Sequence, residues 1–145
     1  MKIIKADISH LPDLVPLFDG YRMFYRQASD YIGVKSFLHE RLSNKDSIIL
    51  MAFDKVNAIG FTQLYPVFSS VSMKPMYILN DLYVEKNYRS QGVGKALIDF
   101  AKDLCKTKGY KGLALQTETN NPAQHLYERL GFKKDPDLHY FWTNE

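Results

Sequence analysis

Between residues 78 and 132 the chain gathers side chains that can hold an anion and move a proton. Arg89-Ser90-Gln91-Gly92-Val93-Gly94-Lys95 sets two glycines inside a basic stretch. It follows the apolar run Ile78-Leu79-Asn80-Asp81-Leu82-Tyr83-Val84 and opens a helical pattern. Gly92 and Gly94 carry no side chains, so backbone amides there can approach a ligand closely. Amides in a first helical turn are unpaired and partly positive, which makes a ready anion site. Each such effect is worth about 0.3–2 kcal/mol, and Arg89 and Lys95 can add charge. Asp81 is an acid inside an apolar strand, an unusual place that invites a functional reading. Alternation puts Asn80 and Asp81 on opposite faces, so one of them can face a substrate directly. Downstream, Tyr127 lies on the apolar stripe of a short helix. Its ring packs in the core either way, but a buried hydroxyl needs a partner.

Two familiar phosphate-binding patterns fail here. A dinucleotide fingerprint needs a third small residue three positions after Gly94, where Leu97 stands, and a Walker loop needs Ser or Thr after Lys95, where Ala96 stands. The pattern Arg-x-x-Gly-x-Gly after Leu82-Tyr83-Val84 is joined by Asn-x-x-Ala-x-x-Leu-Tyr-x-x-x-Gly-Phe from Asn120 to Phe132. Together they resemble the GNAT superfamily of acetyl-CoA-dependent N-acetyltransferases, specifically over residues 78–132 and over the rest by element order. The resemblance implies that the amides of Arg89, Ser90, Gln91, Gly92, Val93, Gly94 and Lys95 hold the CoA diphosphate. It implies that Leu82, Tyr83 and Val84 lie on a strand that splays from its neighbour and offers amides to the acetyl group and pantetheine arm. Asn120 then matches the asparagine that bonds the arm, and Tyr127 the tyrosine beside the CoA sulfur, where it can act as general acid to the departing thiolate. Either Asn120 or Asn121 can also cap the helix.

The implied reaction is direct transfer of an acetyl group to a primary amine, on a small molecule or on a protein lysine or N-terminus. No metal and no covalent enzyme intermediate is required. Such an amine has a pKa of about 10.4, so roughly one in 2,500 is nucleophilic at pH 7. A base must take a proton, directly or through water. In similar polyamine acetyltransferases a glutamate fills the slot of Asn80, which cannot be a base. Asp81 and Glu118 are the remaining candidates, acting through water. Tyr21, Tyr25, Asn80, Asp81 and Glu118 are the candidate acceptor-site residues, an aromatic and acidic mixture suited to a cationic amine. The resemblance covers polyamine, amino-acid and histone-type acetylators alike, and dimers are common among them, so a homodimer is compatible. The rival reading is a non-catalytic acyl-CoA sensor on the same fold.

These residues need elements to position them. Strands are expected over 2–7, 47–53, 58–65, 76–84 and 113–117, with closing strands at 132–135 and 138–143. Helices are expected after Ser9, with Ser9 as cap, around 30–43, from Gly92 to Gly109, and from Pro122 to Gly131. Pro16 should kink or restart the first helix, and Pro66 should interrupt its strand or mark an edge. That order gives an α/β fold, one domain over 1–145 with a mixed central sheet, about four helices and a splayed parallel strand pair. The 145 residues suffice for one sizeable core. The charge balance, 19 basic against 16 acidic side chains for a net +3, is too mild to argue for nucleic acid. No run of 18 apolar residues argues for a membrane span. A lone cysteine, Cys105, suits a reducing cytoplasm and reads as a small apolar filler.

Overall fold

The fold is taken from a computed structural model, which describes residues 1–144. Five strands form one sheet in chain order: β1 (Lys2–Lys5), β2 (Ile48–Asp54), β3 (Asn57–Ser69), β4 (Lys74–Val84) and β5 (Leu113–Ala114). All neighbours are antiparallel except β4 and β5, which are parallel. Among the described residues, four α-helices flank the sheet: α1 (Leu11–Phe24), α2 (Tyr31–Asn44), α3 (Val93–Lys108) and α4 (Ala123–Arg129).

The alternation of β2 shows why two layers cover the sheet. Ile49 and Met51 bury against Leu14, Phe18, Val34 and Leu38 of α1 and α2. Leu50 and Ala52 bury against Leu97, Ile98 and Ala101 of α3. Each of the larger side chains among these contributes about 1.5–3 kcal/mol when fully removed from water. Cys105 is buried in the α3 layer and fills space there.

Local signals behaved unevenly. The expected cap Ser9 sits inside a 3₁₀ turn, Ile8–His10, and Asp7 caps it, accepting from the Ser9 amide at 2.9 Å. α1 continues through Pro16, which forfeits one ladder bond to the Pro12 carbonyl while Leu14, Leu17 and Phe18 bury around it. Gly33 falls in the first turn of α2, where its amide donates to the Asp30 cap at 2.9 Å. Pro66 pairs with Tyr77 of β4, but β2 ends its pairing at Leu64, so the proline lies where β3 is an edge on that side.

β4 carries the feature that shapes the site. Gln63 opposes Asp81 and Leu64 opposes Leu79, so Asn80 is an extra residue, a β-bulge. Bulges bend a strand and shift its side-chain alternation. Tyr77 and Leu79 face the α3 layer before the bulge, and Leu82 and Val84 face it afterwards. Asp81 is therefore turned toward α1 and is 3% exposed, whereas Asn80 is exposed.

β5 is shorter than the expected 113–117. It pairs with β4 at two positions, Tyr77↔Leu113 and Ile78↔Ala114, and then leaves it. Beyond the bulge β4 pairs with β3 alone, which is the splayed parallel pair the sequence implies. The expected closing strands at 132–135 and 138–143 do not form. Lys133, Lys134, Asp135, Pro136 and Asp137 offer little to bury, and β5 is too short an edge to template them. Leu138, Tyr140, Phe141 and Trp142 remain exposed, and Gln116 meets His139 by side chains only, at 3.1 Å.

Candidate active site

The gap opened by β4 and β5 is bordered by four pieces: the upper half of β4, the 89–95 loop, the N-terminal end of α4 and the C-terminal end of α1. Backbone direction follows from one hydrogen bond. The Glu85 amide donates to the Ile59 carbonyl of β3 at 2.8 Å. By strand alternation Tyr83 points its amide the same way, and Leu82 and Val84 point theirs toward the gap. Thr117, just past β5, has a buried Oγ1 with no hydrogen-bond partner among the described residues.

The loop is built on two left-handed residues, Ser90 at φ 62° and Gly92 at φ 83°. Such conformations form backbone concavities that bind anions. Gly92 caps α3, and a Cβ built there would meet nothing within 4 Å. Among the described residues no amide from Arg89 to Lys95 has a protein acceptor. Val93 anchors the turn by burying against Gly60 of β3. The charged side chains are otherwise engaged. Lys95 donates to Asp99 at 2.6 Å. Arg89 Nε donates to the Val84 carbonyl at 2.9 Å, and its guanidinium lies over Phe24 and Tyr83 at 5.8 and 5.5 Å. Gln91 Nε2 donates to the Asn87 carbonyl at 3.2 Å. The anion-binding capacity of the loop thus rests on amides and helix dipole, with Arg89 as a brace between loop, β4 and α1.

α4 brings Tyr127 to the gap. Its ring packs on Phe132 at 6.0 Å, and its hydroxyl has no hydrogen-bond partner among the described residues. Burial, with the Tyr25 hydroxyl adding, pushes this phenol up to about 12. Asn121 caps α4, accepting from the Ala123 amide at 2.9 Å and donating to the Tyr25 hydroxyl at 3.3 Å. Asn120 is exposed and uncommitted.

Asp81 sits at the centre of a buried polar network. Gln63 Nε2 donates to one carboxylate oxygen at 2.6 Å and Asn80 Nδ2 to the other at 2.9 Å. Ser47 fixes Gln63 by donating to its carbonyl at 2.8 Å. Thr62 donates to the Asp81 main-chain carbonyl at 2.7 Å. The Tyr21 hydroxyl donates to the neighbouring Asn80 carbonyl at 3.4 Å. Burial pushes the Asp81 carboxyl above its ordinary value, outweighing the opposing pull of Gln63, Tyr21 and Asn80. The Tyr21 phenol is held far above its usual range, by burial first and by Asp81 second.

Tyr21 and Tyr25 stack edge to face at 5.1 Å, and Glu118 pairs with Arg26 at 2.9 Å beside them. The candidates read from sequence therefore fall into two groups. Leu82, Val84, residues 89–95, Asn120 and Tyr127 border the gap from the α3 and α4 side; Tyr83, expected beside them, turns its amide to β3 instead. Tyr21, Tyr25, Asn80, Asp81 and Glu118 border it from the α1 side. Sequence reading missed Gln63, Arg26 and Thr117. A glutamine inside the apolar run Ile59–Leu64 was a usable signal for the first; nothing local marked the other two.

The sequence profile of the Acetyltransferase (GNAT) family matches residues 13–132. The chain belongs to the GNAT acetyltransferase family. This acetyltransferase is 48% identical over 145 residues to YhfO of Bacillus subtilis (strain 168), an uncharacterised N-acetyltransferase, covering 99% of this chain and 97% of the relative. It is 31% identical to a probable acetyltransferase of Haemophilus influenzae, covering 97% and 96%. The crystal structure of a probable acetyltransferase superposes with a TM-score of 0.92 at 36% identity, covering 100% of this chain and 98% of the other. Among the described residues of this family member no helix is long and apolar enough to cross a membrane.

Proposed function

We propose that the chain transfers an acetyl group from acetyl-CoA directly to a primary amine. One observation carries this reading: the gap-facing edge of β4 opens between a loop of unpaired amides and the uncommitted hydroxyl of Tyr127. The residues suit the co-substrate. A diphosphate finds the amides of Arg89 to Lys95, a pantetheine arm finds Asn120 and the orphaned Thr117 hydroxyl, and a carbonyl oxygen finds the amides of Leu82 and Val84.

Acetyl-CoA supplies the activated acyl group; the chain supplies orientation and proton movement. Tyr127 donates a hydrogen bond to the departing sulfur. On the other side, the acceptor ammonium must lose a proton before attack. The Asp81 carboxylate takes that proton through an intervening water. A carboxyl pushed above its ordinary value is a better proton acceptor at neutral pH than an exposed one. Gln63 and Asn80 hold that carboxylate in place and keep its charge tolerable in the interior.

The test is thiol release from acetyl-CoA across a panel of mono- and diamines, paired with calorimetric titration of acetyl-CoA. Binding together with amine-dependent thiol release is the expected result. Binding without turnover on any amine overturns the enzyme reading in favour of an acyl-CoA sensor. No binding at all overturns both.

A further inference from the structure

Arg26 and Glu118 are 92 residues apart and meet at the mouth of the α1 side of the gap, Nη2 to Oε2 at 2.9 Å. Arg26 ends α1 in a left-handed conformation, φ 68°. The charges facing Tyr25 are Glu118, Asp81 and Arg26. Tyr25 also touches Tyr21 and Asn121 and bears on Tyr127, so Glu118 and Tyr127 share a neighbour. The Arg26 side chain is 70% exposed and that of Glu118 43%.

We propose that Glu118 recognises a second positive charge on the acceptor, with Arg26 as the counter-ion that acceptor displaces. The preferred acceptors are then diamines or polycationic amines whose second ammonium lies several carbons from the reacting nitrogen. This rests on the acetyl-CoA-dependent amine transfer proposed above.

The surroundings of the pair favour a cation in this position. An exposed ion pair is worth about 0–1 kcal/mol, so exchanging Arg26 for a substrate ammonium costs little. The other arginines near α1 are engaged with carbonyls, Arg22 with Ala28 and Arg89 with Val84, whereas Arg26 pairs with Glu118. The carboxylate of an amino acid, two bonds from its reacting nitrogen, would have to reach that pair while its nitrogen sits beside Tyr127. The tyrosine rings between the two positions suit a methylene stem and an ammonium passing over a ring face.

The experiment compares 1,5-diaminopentane with n-pentylamine in the thiol-release assay. Wild type should favour the diamine in kcat/KM. Glu118→Gln should raise the diamine KM by about two- to fivefold and bring the diamine-to-monoamine ratio toward one. Arg26→Gln should lower the diamine KM by about two- to fivefold, because the competing cation is gone. Opposite signs distinguish recognition from structural damage, which would raise KM in both variants. Equal kcat/KM for the two amines in wild type, a preference surviving Glu118→Gln, or a KM that rises in both variants overturns this inference alone. Absence of turnover on every amine overturns the transfer reading and this inference with it.

Discussion

Tyr127→Phe removes one oxygen and leaves a ring that still packs on Phe132. What that oxygen is worth follows from its environment. Burial holds the phenol up at about 12, whereas a thiol leaving group has a pKa of about 8.5. Complete proton transfer from phenol to thiolate would run uphill by about 3.5 pK units, or about 4.8 kcal/mol. In the proposed reaction Tyr127 would therefore serve by hydrogen-bonding developing charge on sulfur, with solvent completing the protonation afterwards. Hydrogen bonds to charged groups are worth about 1.5–3 kcal/mol. The expected loss in kcat is about 10- to 150-fold. The assay is thiol release at saturating acetyl-CoA and amine, from about pH 6.5 to 9.5. Because the phenol stays protonated across that window, variant and wild-type profiles should run parallel. An unchanged kcat removes Tyr127 from the reaction. A loss beyond about a thousandfold, with a limb of the profile abolished near neutrality, would mean that the phenol ionises in the working range, and the burial argument fails.

Gln63→Leu takes a donor from a buried carboxylate and should cost about 1.5–3 kcal/mol in chemical denaturation at neutral pH. The Asp81 carboxyl, already raised, should titrate higher still by carbon-13 NMR, and the stability loss should shrink on acidification below that value. An unmoved Asp81 titration would contradict the network. Gly20→Ala builds a Cβ 2.8 Å from the Tyr83 hydroxyl oxygen. Overpacking of about 1–3 kcal/mol should exceed the helix-propensity gain of about 1 kcal/mol. Melting temperature should fall, and Tyr83→Phe in the same chain should restore most of it; no restoration refutes the contact. Tyr21, Tyr65 and Tyr127 all have folded pKa values above their unfolded ones, chiefly through burial. Their stabilising contribution is present below about pH 10 and is lost as pH rises through the folded values. Melting temperature should decline steadily above about pH 10, and a flat profile to about pH 11.5 would rule this out.

The parts of the site that lie close together in sequence were legible there. The glycine turn, the strand before it and the helix carrying Tyr127 each announce themselves through local spacing. The two asparagines illustrate the limit: both can cap on sequence grounds, and geometry gave the cap to Asn121, leaving Asn120 uncommitted. What stayed hidden depends on pairing across strands. Periodicity within β4 cannot reveal that β3 opposes it with one residue fewer, so the bulge at Asn80 was invisible, although opposite faces for Asn80 and Asp81 were expected. Gln63 reads as an ordinary strand residue until its partner 18 positions away is known. The tail from Leu138 to Thr143 has strand-forming side chains, but a strand also needs an edge, and β5 pairs at two positions only.

The surplus residue in β4 has an evolutionary corollary. Because Asn80 belongs to neither core, chemistry at that position can drift without cost to packing on either layer, while its backbone must stay. Deleting it would rotate half the ribbon by one step, burying what lines the cleft and exposing what fills the interior. Relatives retaining this architecture should thus vary the side chain there among residues that can still donate to Asp81, and should almost never lose the position itself.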